Sequence, residues 1–186
     1  MHPGAIAETT PHKPAVIMDD GRTLTYRELD EASNRLAHVF RDIGLRTGDH
    51  IAFVLENRPE FFVVAWAAQR AGLYYTATST RLTADELGYI VDDCGAKVLV
   101  ASAETVAAAS AIDAPKVELR ILLDGGSNEG WERYDELVAD RPGTPIADQA
   151  EGADMLYSSG TTGRPKGVKP PLPEGDSPMM SAVGML

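Results

Sequence analysis

Residues 157–168 read Tyr-Ser-Ser-Gly-Thr-Thr-Gly-Arg-Pro-Lys-Gly-Val, and they gather more chemistry than any other stretch of the chain. Ser158, Ser159, Thr161 and Thr162 offer hydroxyl donors, and the backbone N–H groups beside them are lightly shielded. Gly160 and Gly163 carry no Cβ, so the main chain can approach a ligand closely. Lys166 adds a positive charge at the far end. Donors, bare backbone and one cation suit a polyphosphate. The segment is not a Walker A loop, which needs a glycine, four residues and then Gly-Lys-Ser/Thr. Here Gly167 follows Lys166 and the glycine spacing differs. Serine, threonine and glycine also make ordinary surface turns. The apolar stretch ahead of this one and its proline-lysine end favour the phosphate reading.

Other reactive residue types give weaker signals. His2 and His12 fall in a start expected to be disordered, His38 sits among charged residues on a helix, and His50 opens a strand. None has a spaced partner that would make a metal site, so no metal ligand is identified. Cys94 lies on an apolar helical face and reads as core. Trp66 and Phe62 are four apart on one helix and are expected to pack inward. The adjacent pairs Asp19-Asp20 and Asp92-Asp93 read as solvated surface. No residue is assigned a catalytic role.

These residues must be carried by a core, and composition allows one. Of 186 residues, 44% are apolar, which fits one domain or one with an incomplete second. The net charge of −11 argues against non-specific binding to nucleic acid or to an anionic membrane. A single cysteine excludes an internal disulfide and fits a reducing compartment. No secretory leader is recognisable, and the longest apolar run, residues 61–68, is too short to span a bilayer. A soluble, cytoplasmic protein is expected.

Strand and helix signals alternate along the chain. Thr25-Tyr26-Arg27-Glu28 is a capping box, followed by apolar residues at helical spacing from Leu29 to Ile43 and a closing Gly44. Ile51-Ala52-Phe53-Val54-Leu55 reads as a buried strand. Asn57 is the expected cap of a helix with Pro59 in its first turn, ending at Gly72. Residues 73–77 form a strand, and Thr83-Ala84-Asp85-Glu86 is a second capping box. Strands are expected at 98–100 and 117–123, with helices at 103–112 and 134–139. Met155-Leu156-Tyr157 is the last strand, delivering the chain into the loop. The expected fold is α/β and doubly wound, with a mostly parallel sheet and helices on both faces. Ligands of such sheets bind beyond the carboxyl ends of strands, where the loop would sit.

Residues 157–168 resemble the signature loop of the adenylate-forming (AMP-binding) superfamily, which includes acyl-CoA synthetases, peptide-synthetase adenylation domains and firefly luciferase. Upstream segments agree. Leu24-Thr25-Tyr26-Arg27-Glu28-Leu29 resembles the family's L-T-Y-x-E-L. Gly48-Asp49-His50-Ile51-Ala52, then Glu56-Asn57-Arg58-Pro59-Glu60, resembles G-D-x-V-A … N-x-x-E. Glu86-Leu87-Gly88-Tyr89-Ile90 and Ala96-Lys97-Val98-Leu99-Val100 resemble the next block. The likeness runs over residues 14–173, and residues 168–173 look most like the fatty-acyl-CoA ligase branch.

The resemblance implies ATP, Mg²⁺ and coenzyme A as cofactors, and a small-molecule carboxylate, a fatty acid first, as substrate. The acid would attack the α-phosphorus of ATP to give acyl-adenylate and pyrophosphate, and the thiol would then displace AMP. Ser158, Ser159, Gly160, Thr161, Thr162, Gly163 and Lys166 would hold the β- and γ-phosphates. The family's adenine, ribose, hinge and catalytic-lysine elements are not found here. The chain is therefore expected to be the N-terminal part of such an enzyme: an α/β subdomain over 1–168, then a proline-rich tail over 169–186. Alone it is expected to be inactive, and to form a homodimer or otherwise associate through an exposed sheet. The alternatives are a luciferase-like or peptide-synthetase-type adenylating enzyme, or a non-catalytic module that oligomerises.

Overall fold

The computed structural model describes residues 2–158 and 164–173. The start of the chain, expected to be disordered, forms α1 (Pro3–Thr9). His2 is its N-cap, with Nδ1 accepting from Gly4 N at 3.1 Å. Next come an antiparallel pair, β1 (Pro14–Ile17) and β2 (Thr23–Thr25), and the long helix α2 (Tyr26–Asp42). The capping box at Thr25 is made as expected: the Glu28 carboxylate accepts from Thr25 N at 2.8 Å, and Thr25 Oγ1 accepts from Glu28 N at 3.3 Å.

From here strands and helices alternate: β3 (His50–Val54), α3 (Pro59–Arg70), β4 (Tyr74–Thr78), α4 (Ala84–Asp93), β5 (Ala96–Ala101), α5 (Val106–Ser110) and β6 (Leu119–Leu122). They are followed by β7 (Glu132–Arg133), α6 (Tyr134–Val138), β8 (Ala153–Asp154), β9 (Leu156–Ser158) and β10 (Lys166–Val168). Six strands form one sheet in the order β7-β6-β5-β3-β4-β8, and each of its pairings is parallel.

The strands of this sheet are apolar on both faces because helices cover both. Alternate residues along a strand point to opposite sides. Ile51 and Phe53 of β3, Val98 and Val100 of β5 and Ile121 of β6 join Leu36, Phe40 and Val64 on the α2–α3 side. Ala52 and Val54, Leu99 and Ala101, and Leu122 join Leu87, Val91 and Ala109 on the α4–α5 side. Burying one side chain of the size of Phe53 contributes about 1.5–3 kcal/mol. The large apolar side chains left exposed among the described residues are Ile17, Phe62, Leu156 and Val168. None lies on the six-stranded sheet, so its faces are not the bare surface expected from sequence.

Three local expectations are corrected. Arg58, not Asn57, is the N-cap of α3, and it makes no side-chain cap bond. Pro59 at the first helical position leaves one fewer N–H to satisfy. Arg58 instead pairs with Glu56, Glu60 and Asp124. The helix expected over 103–112 shrinks to Val106–Ser110, because Thr105 turns inward and its Oγ1 donates to Val54 O at 2.7 Å. Phe62 is 43% exposed, not core. The inward positions of α3 are taken by Val63, Val64, Ala67 and Ala68. Trp66, half-buried, receives the edge of the His2 ring at a centroid distance of 5.1 Å.

Gly72 closes α3 at φ +67°, and a Cβ there would lie 2.7 Å from Thr47 Oγ1. Just before it, Arg70 is fully buried between α2 and α3. Its Nη2 donates to Asp30 Oδ1 at 2.7 Å and its Nη1 to Asn34 Oδ1. Asn34 Nδ2 in turn donates to Gly143 O at 2.9 Å. A buried guanidinium without its carboxylate is a large penalty.

Asp30→Ala should therefore destabilise the fold by about 3–5 kcal/mol, more than the double change Asp30→Ala/Arg70→Met, which removes both charges. Urea unfolding of the three proteins checks this; equal losses in the single and double variants would show that the pair does not hold α2 to α3. A second outcome concerns acid. Burial, then the charge of Arg70, lowers the His2 pKa from 6.5 to about 4, against the opposing pull of Asp30. The unfolded chain protonates first as pH falls. The stability that neutral His2 contributes is thus complete above pH 6.5 and lost as the pH drops through about 4. His2→Asn keeps a capping acceptor but cannot titrate, so its stability should fall less steeply across that window; parallel pH profiles would contradict the burial of a neutral ring.

Candidate functional site

The chain reaches the candidate loop along β4. Ala153 and Asp154 pair with Tyr74 and Tyr75, Met155 N donates to Tyr75 O at 2.9 Å, and Thr76 Oγ1 donates to Met155 O at 3.1 Å. Beyond Met155 the chain leaves the sheet. The strand expected over 155–157 as a member of the parallel sheet is instead β9, one arm of a separate two-stranded hairpin. Its partner β10 runs antiparallel, with Ser158 opposite Lys166, Tyr157 opposite Gly167 and Leu156 opposite Val168. The sequence gives little sign of β10: lysine and glycine are poor strand formers, and the pairing that makes the strand is with β9.

This register answers part of the sequence reading. Ser158 and Lys166, eight positions apart in the chain, face each other as the last pair of the hairpin. Both are exposed, and Lys166 makes no ion pair among the described residues. Ser159, Gly160, Thr161, Thr162 and Gly163 lie outside the described residues. β8 runs parallel to β4, so the chain heads toward the carboxyl edge of the sheet as it passes Met155 into β9.

At that edge the central strands diverge. β3 leads into α3 on one face, while its neighbour β5 leads into α5 on the other. A cavity of about 260 Å³ sits there, lined by Val54, Glu56, Thr80, Leu82, Thr105 and neighbours. One of its carboxylates is tied down: Glu56 accepts from Ser102 Oγ at 2.6 Å and from Arg58 Nη1 at 2.9 Å. Arg58 also reaches Asp124 at 2.7 Å, and Asp124 accepts from Ala103 N at 2.6 Å. Burial by itself would lower the Arg58 pKa, but Asp124 and Glu60 outweigh it and raise it.

The hairpin is held to the body of the protein by groups that the sequence reading passed over. Tyr157 Oη donates to Asp93 Oδ2 at 2.6 Å, and Asp93, exposed as expected, thereby gains a partner that the sequence did not indicate. Burial, then that hydrogen bond, raises the Tyr157 pKa. Tyr89 Oη donates to Pro165 O at 3.2 Å, and the Arg164 guanidinium lies 4.9 Å above the Tyr89 ring. Tyr74 Oη donates to Pro170 O at 2.6 Å, and the Lys169 ammonium lies 4.3 Å above the Tyr74 ring. His50 stacks on the same Tyr74 ring at a centroid distance of 4.8 Å, and its Nε2 is 2.9 Å from Lys169 Nζ. Burial, then the Lys169 charge, lowers the His50 pKa to about 4 despite Asp49, so a neutral imidazole accepts from the ammonium. Cys94 is buried, as expected, and burial raises its thiol pKa. Among the described residues no helix is long and apolar enough to cross a membrane, and no group of three or more His, Cys, Asp or Glu is arranged to hold a metal.

The chain is similar over most of its length to known proteins. A fatty acid–[acyl-carrier-protein] ligase, ScoC, of Streptomyces coeruleorubidus is 33% identical over 168 residues, covering 87% of this chain and 30% of the relative. A 4-hydroxybenzoate–CoA/benzoate–CoA ligase of Rhodopseudomonas palustris is 35% identical over 167 residues, covering 88% of this chain and 31% of the relative. The crystal structure of the anthranilate CoA ligase AuaEII in complex with anthranoyl-AMP matches with a TM-score of 0.80 at 25% identity, over 89% of this chain and 33% of that one. The chain thus spans about 30% of the length of the curated relatives it matches. The AMP-binding enzyme family matches residues 5–169, and with its six-stranded parallel sheet and hairpin-borne loop the chain belongs to that family of adenylate-forming acyl- and aryl-CoA ligases.

Proposed function

We propose that this chain supplies the polyphosphate-holding segment of an ATP-dependent acid–thiol ligase, an acyl-CoA synthetase. The observation that carries the reading is the hairpin. It sets the exposed Ser158 opposite the exposed Lys166, which makes no ion pair among the described residues, at the two ends of the glycine- and hydroxyl-rich segment. A negative polyphosphate fits that arrangement, because the nearest charge is positive and no carboxylate partner competes for Lys166 among the described residues.

In the proposed reaction a carboxylate attacks the α-phosphorus of ATP, and pyrophosphate leaves. Lys166 would place a fixed charge against the growing charge on the leaving group, and Ser158 would donate to the same phosphates. Ser159, Thr161 and Thr162 would add hydroxyl and backbone donors, with Gly160 and Gly163 keeping the main chain close. Holding the nucleotide in line is the larger part of the task. Mg²⁺ would neutralise phosphate charge, and the described residues assign it no ligand. Coenzyme A would accept the acyl group in the second half-reaction.

The relatives differ in acid and in acceptor: fatty acid and acyl carrier protein in one, benzoates and CoA in another. A third, a surfactin synthase subunit of Bacillus subtilis, is 33% identical over 162 residues. That match keeps a peptide-synthetase-type acceptor as the second reading. Adenylation is the step common to both, and a fatty acid is the first substrate class to assay, followed by benzoates.

Two measurements test this. Titration calorimetry should show the chain binding magnesium pyrophosphate, and Lys166→Ala should weaken that binding by about tenfold or more, the scale of one hydrogen bond to a charged group. Unchanged affinity in the variant would remove Lys166 from the site. ATP–pyrophosphate exchange should be absent from the chain by itself with any carboxylate, because positioning needs contacts to base, sugar and acid together. Robust carboxylate-dependent exchange would show that the adenylation machinery lies within these residues after all.

A further inference from the structure

We propose that Tyr157 and Asp93, together with Tyr89 and Tyr74, are positioning residues: they fix the hairpin stem that carries the phosphate loop, and through it the loop's affinity for polyphosphate. This rests on the reading of the loop given above. The stem has only three residue pairs, and an isolated two-stranded hairpin is marginal in water. Its own side chains add little, since Leu156 is 58% and Val168 60% exposed. Something outside the hairpin must hold it.

Three phenol groups do so at three points. On β9, Tyr157 reaches out to Asp93 at the carboxyl end of α4, in a short bond to a carboxylate, the strong class of neutral-donor hydrogen bond. Immediately before β10, the Pro165 carbonyl accepts from Tyr89 of α4. Just after β10, the Pro170 carbonyl accepts from Tyr74 of β4. Both strands are thus pinned, one at its own side chain and the other at both ends. The tyrosine is a good tool for this: a rigid ring with two side-chain torsions, apolar on its body and polar at its tip. Gly167 completes the fit. A Cβ there would lie 3.0 Å from Tyr157 Cζ and Oη and would also meet Met155 Cε, so the ring can lie across β10 only because that position is bare.

The alternative is that these contacts serve stability alone. Pyrophosphate affinity separates the two roles. The proteins to compare are the unaltered chain, Tyr157→Phe, Asp93→Ala, their double variant and Asp93→Asn, each titrated with magnesium pyrophosphate well below its melting temperature. Tyr157→Phe and Asp93→Ala should each weaken binding by about three- to tenfold, the range for one neutral or partly charged hydrogen bond. The double variant should bind no more weakly than either single one, since both remove the same bond. Asp93→Asn, whose amide oxygen still accepts, should stay within about twofold of the unaltered chain. Should Asp93→Ala fail to fold, Tyr89→Phe replaces it, with the ring and its Arg164 contact retained and a loss of the same size expected. Lower melting temperatures with unchanged affinity would overturn the positioning role, and so would losses that add in the double variant. If the unaltered chain binds no pyrophosphate, the loop assignment fails and the clamp with it; if it binds and the variants bind equally, only the clamp fails.

Discussion

Main-chain pairing of residues 153–155 to β4 decides where the candidate chemistry ends up. β4 is itself pinned in a parallel sheet buried on both faces, so its unpaired edge is a rigid template. Two residues of β8 and the Met155 N–H lie down on that edge, and the side chain of Thr76 holds the Met155 carbonyl. The direction of the chain is then set. Through residue 155 it runs with β4 toward the carboxyl edge, and β9 follows. A sheet buried on both faces offers no place for polar ligands along its length, so the edge is where exposed groups such as Ser158 and Lys166 can accumulate.

The same edge shows why the sheet must be doubly wound. β3 has no exposed side chain, and it sends α3 to one face while its two neighbours, β4 and β5, send α4 and α5 to the other. The connections therefore part above β3 and β5, leaving the cavity near Val54 and Thr105. Several polar groups at that parting tie the loops to one another. Arg58 spans from the start of α3 to Asp124 after β6, and Asp124 caps the Ala103 N–H after β5. Three different loops are thereby tied by one guanidinium that is largely shielded from solvent, so the edge that faces a ligand is a rigid one.

What could be read from the sequence was local or periodic. The capping boxes at Thr25 and Thr83 appear as expected because the partners are three residues apart and the geometry is self-contained. Four of the five expected strands announced themselves as apolar runs and appear in the sheet as β3, β4, β5 and β6, whereas β7 and β8, Glu132-Arg133 and Ala153-Asp154, carry no such run. What was not legible depended on partners far along the chain. β10 exists only because β9 lies beside it, and its Lys-Gly-Val sequence does not ask to be a strand. Asn57 looked like a better cap than Arg58, yet Arg58 takes the position, where carboxylates from two loops and from the first turn of α3 pair with its guanidinium. The loop residues were recognisable from type and order alone, whereas the facing of Ser158 and Lys166 needed the register. The tyrosine contacts left no trace at all, since Tyr89 and Tyr74 bond to main-chain carbonyls 76 and 96 positions away, and any residue type supplies a carbonyl.

That last point bears on how such a loop can be built. A glycine- and hydroxyl-rich segment has little packing of its own, because small side chains bury little area. Its low bulk is what lets backbone donors reach a phosphate, so stiffness cannot be added inside it without losing that access. It has to be imported at the two ends. Here the imports are a short antiparallel register, three phenol hydroxyls and two cations resting on tyrosine rings, all placed outside the segment that would meet the ligand. The cations have a double effect. Arg164, before β10, and Lys169, after it, lie over aromatic faces, where each adds attraction of about 0.5–2 kcal/mol to its ring. Lys166, between them in sequence, has neither a ring nor a carboxylate among the described residues. Three neighbouring positive charges are thus divided by their surroundings into two that rest on tyrosine rings and one that, among the described residues, has no such partner.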